Sequence, residues 1–348
     1  MNSQLNYNNT KSSTLTESVP AVQLDQMALV RKGWASKTFL KVVLVGTFLL
    51  LVASVAINVY LDIFGLFRSV DNRKLPVYHN ERMAKYLLSY RYVPANFNAV
   101  VIGTSLSDNL DFATYQTDLA EFKIYNASMM GANISEVSRV AGNLIKGGVK
   151  NIIFCVSPYQ MKNTGEKEME MNEKLYYSAI GSKNLYETYG VALIRKSGLM
   201  PFKFPKKHIN EFGVNNFTER YKVKNVAEHI HNIAEIEKNI PMTIAEEAVA
   251  ELKELFLLMQ KEKINLIVYF HPVPIELYTS KQPEYELFQK MVGEMIPKDA
   301  MLINFNSPQY SGFRKNYEHY IDNGHLSDKG QKVIAEILIM KLNTLRSL

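Results

Sequence analysis

Cysteine is nearly absent. The 348-residue chain holds one, Cys155, which excludes an internal disulfide framework and a cysteine-built zinc site. Its mid-chain position also excludes an N-terminal lipoprotein cysteine. Cys155 lies in the apolar run Asn151-Ile-Ile-Phe-Cys-Val156, where a small buried hydrophobe is its expected role. Clustered basic charge is missing as well. The net charge is +6, but the lysines and arginines are scattered. They form no stripe interleaved with aromatics, so no nucleic-acid groove is expected. Long apolar runs are lacking except for one, and the negative mean hydropathy excludes a polytopic membrane protein. Internal repeats are lacking too. Neither metal nor cofactor is expected. Glu228 and His231 stand three apart on a predicted helix with His229 beside them. Without a further ligand nearby, a solvated helix face accounts for them.

Hydrophobic residues make up 47% of the chain, enough for one large domain with an appendage. The appendage is the single long apolar run, Val42 to Leu61. It spans about 20 uncharged residues, sufficient to cross a hydrocarbon core. Arg31, Lys32, Lys37 and Lys41 precede it with no acid among them, while Asp62, Arg68, Asp71, Arg73 and Lys74 follow. That asymmetry predicts a single-pass anchor over 38–61 in the inner (cytoplasmic) membrane, with the N-terminus cytoplasmic and the main domain periplasmic or otherwise extracytoplasmic. Ser54-Val55-Ala56 resembles a signal-peptidase site, but 41 residues before the run are too many for a signal n-region. A buried core helix fits poorly with the basic flank. Residues 1–37, rich at first in Asn, Ser, Thr and Gln, are expected to be a disordered tail. Residues 62–95 are expected to be a linker.

From residue 96 onward strand-like and helix-like segments alternate. Five short apolar runs read as strands: 98–103, 122–127, 151–156, 264–270 and 301–305. Helices are predicted over 134–146, stopped by Gly147-Gly148; over 243–263, capped by Thr243 with Glu246; over 285–296; and over 328–345, capped by Ser327. The alternation predicts an α/β fold: a flavodoxin-like parallel sheet of about five strands with helices on both faces. Residues 160–242 break the rhythm and read as an insertion, either a substrate-binding lid or packing for a larger sheet.

In such sheets, sites form beyond the carboxyl ends of the strands. Gly103-Thr104-Ser105 follows the first strand. Ser105 can present its hydroxyl there, with its backbone N–H free for an oxyanion; a plain helix start explains the same residues. Gly131 and Asn133 follow the second strand as possible oxyanion donors, or as a glycine and an N-cap. Ser157 follows the third. His271 ends the fourth, as a pocket residue or a strand cap. Asp108 and Asn109 either touch substrate or favour the first turn of a helix. Before the last helix stands Tyr320-Ile-Asp322-Asn-Gly-His325. Among seven histidines, His325 is the one with an aspartate three residues earlier. The carboxylate can orient the imidazole so that it serves as a base toward a serine.

This ordering resembles the SGNH (GDSL-like) hydrolase superfamily over roughly residues 96–345. Gly103-Thr104-Ser105 stands in the place of Gly-Asp-Ser, Gly131 at the second-block glycine, and Asp322-Asn-Gly-His325 at the terminal Asp-x-x-His. Two positions depart from the pattern. Thr104 replaces the aspartate, and Val156-Ser-Pro-Tyr159 stands where the family has Gly-x-Asn-Asp, whose asparagine completes the oxyanion hole. Asn133 or Ser157 are the substitutes on hand. The departures, and the segment Asp62-Ile-Phe-Gly-Leu-Phe67, are similar to membrane-anchored members such as DltD and the alginate and cellulose acetylation proteins. The resemblance implies a catalytic Ser105, His325 and Asp322. It implies acyl transfer or ester hydrolysis, with acetyl groups expected, on a cell-envelope polysaccharide or acylated carrier beside a membrane-bound O-acyltransferase. The alternative is a catalytically silent domain that binds or scaffolds an envelope polysaccharide assembly.

Overall fold

The computed structural model describes residues 37–67, 80–113, 122–162, 171–200, 209–215 and 221–346. The expected tail over 1–37 therefore lies almost wholly outside them. The chain divides into two compact units, Met1–Ala56 and Ile57–Leu348. Helix α1, Lys37–Leu61, makes up the described part of the first and runs into the start of the second. Its stretch Phe39–Leu61 is long and apolar enough to cross a membrane, and most of its side chains are exposed.

The second unit opens on the last turn of α1. Asn58 Nδ2 donates to the Ile180 carbonyl at 2.6 Å. Asp62 then turns the chain at φ 43°, and its carboxylate accepts the N–H groups of Leu66 and Phe67 at 2.7 and 3.0 Å. Phe64 and Leu66 are thereby buried. Next come α2 (Glu81–Leu88), β1 (Ala99–Ile102), the short α3 (Ser105–Asp108), β2 (Ile124–Asn126), α4 (Ile134–Lys146) and β3 (Asn151–Val156). After them run α5 (Lys183–Ser197), α6 (Val226–Glu237), α7 (Glu246–Lys261), β4 (Asn265–Phe270), α8 (Ile275–Ser280), α9 (Gln282–Met295), β5 (Met301–Asn304) and α10 (Asp328–Arg346). Short single turns link several of these.

All strand pairs are parallel, and the order is β2-β1-β3-β4-β5, the flavodoxin-like order of a doubly wound sheet. Strand side chains alternate strictly between two cores. Val100, Ile102, Ile152, Phe154, Leu266 and Val268 enter one core with α2, α4 and α7. Ala99, Val101, Ile153, Cys155, Ile267 and Tyr269 enter the other with Ile334, Leu338 and Leu342 of α10. Continuous apolar runs are what two buried faces require, and Cys155 is fully buried among them.

Three expectations change. The stretch expected as a linker carries α2, whose residues Met83 to Leu88 are all buried in the core. Asn80 caps it by accepting the Met83 N–H at 3.1 Å. The helix expected from Thr243 begins at Glu246 instead, with Ala245 at the cap and no side-chain cap bond. The Ala245 N–H is tied to the Met161 carbonyl at 2.8 Å, which draws the chain before it away from the helix axis. The third helix begins at Gln282, with Pro283 in its first turn, where the missing N–H costs nothing.

Candidate active site

The site is built from the turns that leave the carboxyl ends of β1, β2, β3 and β4. Gly103 begins the first. A Cβ there would lie 2.4 Å from Ser107 Oγ and 2.9 Å from Cys155 Cβ, so only glycine lets this turn close against β3. Thr104 caps α3, accepting the Leu106 N–H at 3.4 Å. Ser105 opens the helix, half-buried. Asn126, at the end of β2, braces the same turn. Its Nδ2 donates to the carbonyls of Ser107 at 2.7 Å and Leu110 at 3.1 Å.

Asp322 and His325 stand on a loop closed by the antiparallel bridge between Tyr320 and Leu326. Asp322 Oδ2 accepts from His325 Nδ1 at 2.6 Å. Its Oδ1 accepts the backbone N–H of Gly324 at 2.8 Å and of His325 at 2.7 Å. Burial raises the Asp322 pKa, but the bonds and charge of His325 and the Gly324 N–H outweigh it and hold the carboxyl below its usual range. Asn109, next to α3, donates to the Leu326 carbonyl at 2.8 Å. Leu106 packs against Gly324, its Cδ2 lying 3.1 Å from where a Cβ would stand. The serine turn and the histidine loop are therefore held side by side.

Ser105, His325, Gly131 and Ser157 all line one cavity of about 440 Å³. It opens beyond the strand ends where β1 and β3 adjoin, the switch point at which doubly wound sheets hold their ligands. Gly131 adopts φ +65°. Arg82 of α2 clamps its loop, donating to the carbonyls of Gly131 at 2.6 Å and Met130 at 3.2 Å and pairing with Glu136 at 3.1 Å. Ser157 spends its N–H on Gln160 Oε1 at 3.1 Å, which removes its backbone donor from the cavity. Asn133 is not among the lining residues. It caps α4 in a reciprocal box, Oδ1 accepting the Glu136 N–H at 2.9 Å while Glu136 accepts the Asn133 N–H at 3.2 Å.

His271 also lines the cavity. Its Nε2 bonds the Gly324 carbonyl at 2.7 Å, so it steadies the histidine loop. Asn306 anchors the strand end, accepting the Val273 N–H and donating to the His271 carbonyl, each at 2.8 Å. Burial lowers the His271 pKa to about 4, against the opposing pull of the Gly324 carbonyl. Its unfolded value is about 6.5. The unfolded chain therefore binds the extra proton first, and stability falls as pH drops from about 6.5 to about 4, by about 3 kcal/mol. Asp322 acts lower: its contribution is present above about 3.9 and lost as pH falls through its depressed value. Urea denaturation from pH 7 to pH 4 measures the first window. His271→Gln flattens that slope and leaves the loss below pH 4.

Behind the serine turn lies a buried ion cluster that no local pattern signals. Lys85 Nζ bonds Asp108 Oδ1 at 2.5 Å, Glu81 Oε1 at 3.0 Å, and the Ser128 carbonyl. Asn215 Nδ2 donates to Asp108 Oδ2 at 3.2 Å. Burial and the nearby Glu81 push the Asp108 pKa well up, against the pull of Lys85. Burial also raises Glu81, but Lys85 and the hydrogen bond from Asp108 outweigh it and hold Glu81 low. Burial opposes the charge on Lys85, and the two carboxyls outweigh it and raise its pKa. Glu81 and Asp108 thus titrate as a coupled pair around one buried ammonium. Asp108 has a structural role here and does not line the cavity. Elsewhere, His231 Nδ1 meets Glu276 Oε2 at 3.2 Å on the exposed surface. Among the described residues no group of three or more His, Cys, Asp or Glu side chains is placed to hold a metal.

No protein-family model matches the chain, and no curated protein does. Among solved structures it is similar to LAE5, an alpha/beta hydrolase enzyme from the metagenome of Lake Arreo, Spain. The two share 11% identity at a TM-score of 0.36, over 72% of this chain and 96% of that one.

Proposed function

We propose that the domain is an SGNH-like serine acyltransferase or esterase, held beside a membrane by α1. The observation that carries this is the 2.6 Å Asp322–His325 bond, in a loop whose histidine shares a cavity with Ser105. Bonding of Nδ1–H to the carboxylate assigns the basic lone pair to Nε2. In the proposed reaction Nε2 takes the Ser105 proton as Oγ attacks an acyl ester or thioester. The N–H groups of Ser105 and Gly131 and the Ser157 hydroxyl receive the oxyanion. His325 returns its proton to the departing alcohol or thiol. An acceptor hydroxyl, or water, then attacks acyl-Ser105 with His325 again as base.

The positive-inside pattern supports a location of this domain outside the cytoplasm. That favours transfer onto a cell-envelope polymer, with a membrane-bound O-acyltransferase as the partner that hands acyl groups across. The commitment of the Ser157 N–H to Gln160 favours the second reading, a silent binding domain, because it removes one backbone donor from the oxyanion site. Labelling by a serine-reactive fluorophosphonate separates the two. The full-length chain in membranes labels, and Ser105→Ala does not. Equal labelling of the variant, or none of either, rejects Ser105 as the nucleophile.

A further inference from the structure

The cavity is much larger than an acetyl group needs. The three heavy atoms of acetyl fill roughly 90 Å³, about three water volumes, against about 440 Å³ here. Much of the cavity wall away from Ser105 and His325 is hydrocarbon, from Val156, Met242, Phe270, Val273, Leu277 and Phe288, although Glu237, Lys281, Tyr285, Gln289 and Asn306 line it as well. Four of the apolar residues, Val156, Phe270, Leu277 and Phe288, are at most 5% exposed, so α8 and α9 pack a fixed apolar wall onto the ends of β3 and β4. A water needs two to four polar partners, and such walls supply few. Tyr159, which is exposed, lines the cavity too, with Lys162 lying 4.5 Å over its ring. We infer that this cavity is an acyl-chain pocket: it takes the linear hydrocarbon tail of a medium-chain acyl group, roughly six to ten carbons long, with its carbonyl at Ser105. The inference rests on the acyl-enzyme reading and replaces acetyl with a longer chain.

The test is a chain-length series of p-nitrophenyl esters with the full-length protein in phospholipid nanodiscs. The leaving group is constant, so the profile reports the acyl side. Each buried methylene raises kcat/KM about fourfold, and the octanoyl ester should exceed the acetyl ester by at least about a hundredfold. Val273→Trp, which fills the pocket, lowers that ratio at least tenfold, roughly the loss of two methylene sites. Leu277→Ala, which enlarges it, moves the optimum to longer chains. An acetyl ester turned over as well as the octanoyl ester overturns the inference. If no ester is turned over and Ser105 resists fluorophosphonate, the acyl-enzyme reading falls, and the pocket is judged separately. Decanoic acid bearing a terminal diazirine, photolysed with Ser105→Ala in nanodiscs, should then crosslink within residues 270–289. Crosslinks confined to other segments overturn the pocket as well.

Discussion

Asp322→Asn should lower kcat for ester turnover by about 10⁴-fold, with the fold intact. The asparagine can keep Oδ1 toward the N–H groups of Gly324 and His325, which now hold the loop. Its Nδ2 then faces His325 Nδ1 across the position of the present 2.6 Å bond. An amide N–H there demands an acceptor, so Nδ1 loses its proton and Nε2 gains it. The imidazole then presents a donor where Ser105 needs a base. The loss should fall on kcat more than on KM, because substrate binding uses the cavity walls and not the buried carboxyl. Steady-state kinetics with the preferred ester, alongside thermal denaturation, measures both. A variant within tenfold of the parent in kcat rules out this tautomer role for Asp322.

Lys85→Met should cost about 3–5 kcal/mol of stability at neutral pH, the usual range for removing one partner of a buried ion cluster. Methionine keeps the unbranched shape but removes the charge that holds Glu81 ionised beside Asp108. Two carboxyls then share a site without an ammonium, and their pKa values rise above those of the unfolded chain. A carboxyl whose folded pKa is raised stabilises below its unfolded value and loses that contribution as pH climbs through the folded one. The defect should therefore shrink on acidification from pH 7 to pH 5. Urea denaturation at the two pH values measures it, and an equal deficit at both would show that packing, not charge, dominates. The same variant should loosen the site, because α2 reaches both halves of it. Lys85 holds Asp108 behind Ser105, and Arg82 holds the Gly131 loop.

The parts of this molecule legible in the chain are those set by short-range pattern. Five apolar runs became five parallel strands, and in β1, β3 and β4 the run is continuous because a strand buried on both faces is apolar throughout. Ile134, Val137, Val140, Ala141, Leu144 and Ile145 lie on the buried side of α4, as their spacing predicts. The Asp322–His325 pair was readable because a three-residue spacing on a glycine-containing loop lets one carboxylate reach its neighbour's ring. Neighbours along the chain misled where a distant partner took over, as at Ala245, tied to Met161. At Asn133 the choice between donor and cap was open, and the tertiary setting resolved it as a cap.

What no local pattern held are the contacts between residues far apart in the chain. Lys85 and Asp108 look like ordinary charged positions on surface helices, and α2 fell within an expected linker. Their burial follows from the packing of α2 into the core beside α4, and a buried ammonium persists only because two carboxyls surround it. Asn126 and His271 likewise read as polar strand ends until their bonds to Leu110 and Gly324 are seen. The size and greasiness of the cavity belong to the same class. Its walls come from β3, β4, α8 and α9 together, brought to one place by the sheet order, and hydrophobicity along the chain cannot say which apolar side chains will face a void. The chain's local chemistry thus fixes the strands, the apolar anchor candidate and the hydrogen-bonded Asp322–His325 pair. Long-range packing alone sets what braces them and the size of the cavity beside them.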